Sequence, residues 1–100
     1  MRVENVVGSS HVAAEPPKPY VTWLEYWENY VEVRMDPNRR YICPACEKAF
    51  YRHEFDGCHV QKAQSHDRNW YIVPLCSSCN HRTDILDIGD VTLAPTPSNL

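Results

Sequence analysis

Two short stretches decide how this chain folds: ICPACEK, residues 42–48, and LCSSCN, residues 75–80. Each holds a Cys-x-x-Cys pair, Cys43 with Cys46 and Cys76 with Cys79. A two-residue spacer lets a tight turn aim two sulfurs at one point, and two such knuckles supply a tetrahedron. Four thiolates in that geometry suit zinc, and a site whose every position is protein sulfur is structural, not catalytic. The 29 residues between the pairs exceed the usual ribbon spacing, so a substantial element is expected between them.

The rest of the composition agrees with a metal-stapled domain. One hundred residues make a single domain whose core is marginal without a staple. Five cysteines, an odd number, argue against a closed disulfide framework. No apolar run approaches a membrane span, and residues 1–20 lack the apolar segment of a secretory leader, so a reducing, cytoplasmic setting is expected and no membrane. Net charge is −3, which does not advertise a nucleic-acid binder. Residues 1–37 carry three basic and six acidic side chains, and residues 38–84 carry seven and five. The middle of the chain is therefore the basic part.

Residues 1–19 read as an extended or mobile arm, because Gly8-Ser9-Ser10 and Pro16, Pro17 and Pro19 disfavour regular structure. His11 in that arm reads as an exposed residue. Residues 20–37 predict a helix packed on the core. Thr22 and Glu25 form a capping box, Val21 and Tyr26 are spaced as a hydrophobic staple, and Asp36-Pro37 ends any continuation. Trp23, Trp27, Tyr30 and Val31 fall on one stripe, with Leu24 beside it. The stripe reads as packing surface, or as a face on which Trp23 and Trp27 dock a partner. Residues 38–94 form the zinc-binding domain, and 95–100 a tail. Within it short strands flank the first knuckle, SHDRN (65–69) is a loop, and WYIVPLC (70–76) is a buried strand that Pro74 closes. A short helix starts at the second knuckle, and Val91–Leu93 offers an edge strand.

Between the knuckles lies FDGCHVQK, residues 55–62, with Cys58 and His59 side by side. The order of knuckle, hairpin with a strand-end histidine, apolar strand, second knuckle and helix resembles the HNH, or ββα-metal, nucleases with an added treble-clef-type zinc site. The resemblance covers residues 41–84 and is carried by LCSSCN and DGCHV. It implies a small α+β zinc-stabilised domain with a treble-clef or ββα-metal-like core, to which the N-terminal aromatic helix, outside the motif, is added by its own pattern. It also implies a metal-dependent endonuclease acting on nucleic acid. His59 would be the general base and Asn80 a ligand of a catalytic divalent ion, magnesium, manganese or zinc. Cys58 stands where the family has Asp or His, and the family's mid-motif Asn falls at Tyr71, two residues beyond Asn69. Cys58 or Asp56 would complete the second site, and thiolate in place of carboxylate favours zinc or another soft ion over magnesium. His81 and Asp84 are further candidates on the presumed helix.

Plainer roles stand beside these. His59 reads equally as a hydrogen-bonded structural residue, Cys58 as a small strand residue, Asn80 as a helix cap, and His66 and His81 as surface groups. Two other functions therefore stay open: a nucleic-acid-binding module without chemistry, and a zinc-stabilised module that docks a protein partner as inhibitor or adaptor.

Overall fold

In the computed structural model, residues 1–6 and 15–97 are described. His11 and the end of the expected tail lie outside them. The chain runs through β1 (Arg2–Asn5), α1 (Trp23–Val31), β2 (Arg40–Ile42), β3 (Ala49–Tyr51) and a single 3-10 turn (Arg52–Glu54). It continues through β4 (Phe55–Lys62), β5 (Tyr71–Cys76), α2 (Ser77–Asn80), β6 (Leu86–Asp87) and β7 (Ala94–Pro95). This is a small α+β domain, mostly sheet with few helices, as the sequence implies.

Five strands form one antiparallel sheet in the order β6-β1-β4-β5-β7, and β2 and β3 form a separate two-stranded hairpin. The central pair β4 and β5 registers Phe55 opposite Cys76 and His59 opposite Ile72. Residues 72–76 are buried without a break, as a strand covered on both faces must be. Pro74 does not close β5. It lies beyond Tyr71 and Ile72, the two positions paired with β7, so β5 continues to Cys76. Ordinary strand alternation then sends Phe55, Gly57 and His59 to one face of β4, and Asp56, Cys58 and Val60 to the other.

Helix α1 begins where the capping box requires. The Glu25 N–H donates to Thr22 Oγ1 at 3.1 Å, and Glu25 Oε1 accepts the N–H of Thr22 at 3.3 Å and of Val21 at 2.7 Å. The staple does not form, since Val21 is 80% exposed. The buried side of the helix is also one position away from the expected stripe, because Leu24 and Glu28 point inward while Tyr30 is half exposed. The reason is Gly57. A Cβ there would stand 2.4 Å from the Trp23 carbonyl carbon and 2.5 Å from the Leu24 nitrogen, so helix backbone rests directly on bare strand.

Glu28 is buried but fully engaged. Its carboxylate accepts the Met35 N–H at 2.7 Å, Arg52 Nε at 3.1 Å and Arg52 Nη2 at 2.7 Å. Burial alone would raise its pKa, yet the Arg52 and Met35 hydrogen bonds outweigh that and hold it below the ordinary carboxylate value.

The N-terminal segment differs from the expected arm. Residues 2–5 are a strand inside the sheet, with Val3 fully buried opposite Lys62 and Leu86. A four-residue strand carries too little periodicity to separate it from an extended arm. The expected edge strand at Val91–Leu93 is instead Ala94–Pro95. A two-residue pairing such as β6 leaves no pattern to read at all.

Candidate metal centre

The first knuckle closes the β2–β3 hairpin. The Cys43 N–H donates to the Lys48 carbonyl at 2.8 Å, and the Glu47 N–H donates to the Cys43 carbonyl at 2.8 Å. Glu47 takes a left-handed φ of 62°, which lets the chain double back directly after Cys46. The second knuckle starts where β5 stops, with Cys76 extended as the residue before α2 and Cys79 within its single turn.

These two turns bring the sulfurs of Cys43, Cys46, Cys76 and Cys79 within 4.8 Å of one another. Cys46 Sγ and Cys76 Sγ are 3.8 Å apart. Four sulfurs each about 2.3 Å from one ion stand about 3.8 Å apart, so the cluster matches a tetrahedral thiolate site to within a small contraction. The Cys76 N–H points at Cys43 Sγ from 3.5 Å. Burial raises the Cys43 pKa, but N–H groups of Cys76, Cys46 and Ala45 outweigh it and favour the thiolate. No disulfide joins any of the five cysteines, and the donor set of four is compatible with a structural metal such as zinc.

The sequence does not reveal what anchors this centre. Asn5 in β1 donates from Nδ2 to the carbonyls of Cys79, at 3.0 Å, and Arg82, at 2.8 Å. It thereby satisfies the open end of α2, where carbonyls lack helical partners. Its distance of 74 residues from Cys79 hides the connection.

The remaining predicted site residues fall into separate places. Cys58 is 2% exposed, and its thiol contacts the Asp56 carbonyl at 3.3 Å. Burial, then the nearby Asp56 charge, pushes that thiol far above its ordinary pKa. His59 projects from the opposite face of β4. It is 8% exposed, edge-on to the Trp23 ring at 4.8 Å and to Trp70 at 5.9 Å. Its Nε2 is buried without a hydrogen-bond partner, and desolvation holds its pKa below the usual histidine value.

Asn80 Nδ2 does reach Asp56 Oδ2, at 3.3 Å, in an exposed contact near the start of β4. Asn80 is the last residue of α2, not its cap. Tyr71 donates its hydroxyl to Asp67 Oδ2 at 2.5 Å, and Asp67 Oδ1 accepts the Asn69 N–H at 2.9 Å, so both serve the 63–70 loop. His81 and His66 are exposed, and Asp84 is paired with Arg82. Trp27 packs on the core and donates Nε1 to the Thr92 carbonyl at 2.8 Å, while Trp23 is half buried at the start of α1.

Among the described residues, no second group of three or more His, Cys, Asp or Glu ligands converges. No helix among them is long and apolar enough to cross a membrane. The chain matches no family model, no curated protein and no solved structure.

Proposed function

We propose that the four cysteines hold one zinc ion in a treble-clef-type arrangement, and that this domain is a zinc-stabilised module for binding a protein partner. The observation that carries the reading is the closed sulfur cluster, with every position taken by protein and three of its four residues buried. A closed thiolate site contributes folding free energy and leaves no position for substrate.

The endonuclease reading needs a histidine that meets water beside an ion-holding group. His59 has its free nitrogen buried among indole rings, on the strand face away from Asp56 and Cys58. We therefore assign His59 to packing and assign no second ion to Cys58, Asp56 and Asn80. The acidic balance of the chain favours a protein partner over nucleic acid.

The test is incubation of supercoiled plasmid with the purified chain and magnesium, manganese or zinc, comparing wild type with His59→Ala. The module reading predicts no nicking in any metal and no salt-dependent DNA retention. Cleavage that disappears in a folded His59→Ala variant would return the assignment to the nuclease.

A further inference from the structure

The four clustered sulfurs differ in how easily a solute reaches them. Cys43, Cys76 and Cys79 are buried, whereas Cys46 keeps part of its surface open. The Cys43 sulfur also receives the Cys76 N–H, and donated hydrogen bonds draw charge from a thiolate and lower its nucleophilicity. Cys58, the fifth cysteine, is buried as a neutral thiol, which is a poor nucleophile.

Position in the fold adds to this difference. The second knuckle is fixed at both ends, by β5 in the main sheet and by Asn5 on the Cys79 carbonyl. Cys46 belongs to the small β2–β3 hairpin, which forms no ladder with that sheet. Across the gap, its sulfur lies 3.8 Å from Cys76 Sγ. A disulfide needs about 2.05 Å, so the hairpin has to close by less than about 2 Å.

We propose that Cys46 is the oxidation-sensitive position of this centre, and that hydrogen peroxide converts Cys46 and Cys76 into a disulfide. The Cys46 thiolate attacks the peroxide oxygen, the O–O bond breaks, and hydroxide leaves to become water, giving a sulfenic acid. The Cys76 sulfur then attacks the Cys46 sulfur. The S–S bond forms, and the sulfenic hydroxyl leaves as hydroxide, which takes a proton from solvent to become a second water. Two thiolates give up two electrons, and one hydrogen peroxide takes them up with two protons from solvent to become two waters. Two sulfurs of the cluster are thereby withdrawn from metal binding, while the two knuckles stay covalently joined. The proposal rests on the zinc reading, since bound metal keeps the sulfurs ionised at neutral pH.

The experiment uses the full chain as purified, with metal content measured first on the same sample. Limiting hydrogen peroxide is added with and without dimedone, and the cysteine peptides are mapped by mass spectrometry. The expected result is a dimedone adduct at Cys46. Without dimedone, a Cys46–Cys76 bridge forms with loss of two thiols and of the bound zinc, and Cys58→Ser leaves that map unchanged. A first adduct elsewhere, a Cys43–Cys46 or Cys76–Cys79 bridge, or a map altered by Cys58→Ser overturns the proposal. If the sample carries one zinc and the map falls elsewhere, only this inference fails. A metal-free sample contradicts the zinc reading, and the inference with it.

Discussion

Gly57 and Trp23 touch backbone to backbone: a Cβ on Gly57 would lie 2.4 Å from the Trp23 carbonyl carbon and 2.7 Å from its Cβ. This contact seats α1 on the central strand. Relief requires the helix to move as a body, since the two closest obstructing atoms, the Trp23 carbonyl carbon and the Leu24 nitrogen, are main chain. Gly57→Ala should therefore cost about 3 kcal/mol, the upper end for an overpacked site. Urea denaturation checks it, and a loss below about 0.5 kcal/mol would mean that α1 sits elsewhere.

The Glu28–Arg52 pair ties the other end of α1 to the turn before β4. Glu28→Gln keeps the shape and removes the charge, so about 2 kcal/mol should be lost near neutral pH, within the range for hydrogen bonds to a charged group. Because the folded pKa lies below the ordinary 4.5, the ionised pair stabilises the fold fully above that value. Its contribution declines as pH falls from 4.5 through the folded pKa. The stability gap between wild type and Glu28→Gln should accordingly shrink in that acid window. A gap that stays constant down to pH 3 would contradict the assignment.

His59 gives a prediction of opposite character. Its buried Nε2 has no partner, a cost of about 1–3 kcal/mol that an apolar ring avoids. His59→Phe should then preserve or raise the melting temperature. The depressed histidine pKa also means that stability is full above 6.5 and falls as pH drops from there toward the folded value. His59→Phe should remove that slope. A variant that unfolds, or that keeps the same slope between pH 6.5 and 5, would show that the imidazole makes a contact worth more than its desolvation.

Asn5 holds the carbonyls of Cys79 and Arg82, so its loss should loosen the second knuckle. Asn5→Ala is expected to cost about 2 kcal/mol for two hydrogen bonds. Zinc affinity in a chelator competition should fall about tenfold, as for other groups that orient ligands. Unchanged affinity would separate β1 from the metal centre.

How much of this was legible follows from where each signal lives. The four cysteines were readable because each spacer encodes a complete local turn, and the structure gathers those four sulfurs. Helix α1 was readable at its start, because the Thr22–Glu25 box spans only three residues. Its inward face was not, since that depends on a glycine more than thirty residues away. The strand at Arg2–Asn5 and the clamp made by Asn5 are likewise long-range facts with no local pattern. Cys58 and His59 look like one motif in the sequence, but strand alternation sends adjacent side chains to opposite faces. Their adjacency along the chain is what separates them in space.

The central claim is that one zinc ion held by Cys43, Cys46, Cys76 and Cys79 makes this small domain fold. The most direct measurement is metal content by elemental analysis, followed by circular dichroism and thermal melting before and after verified chelation. The account predicts one zinc per chain, and loss of the folding transition or a sharp fall in melting temperature once it is removed. A chain without stoichiometric metal, or one whose spectrum and melting are unchanged after removal, would contradict it.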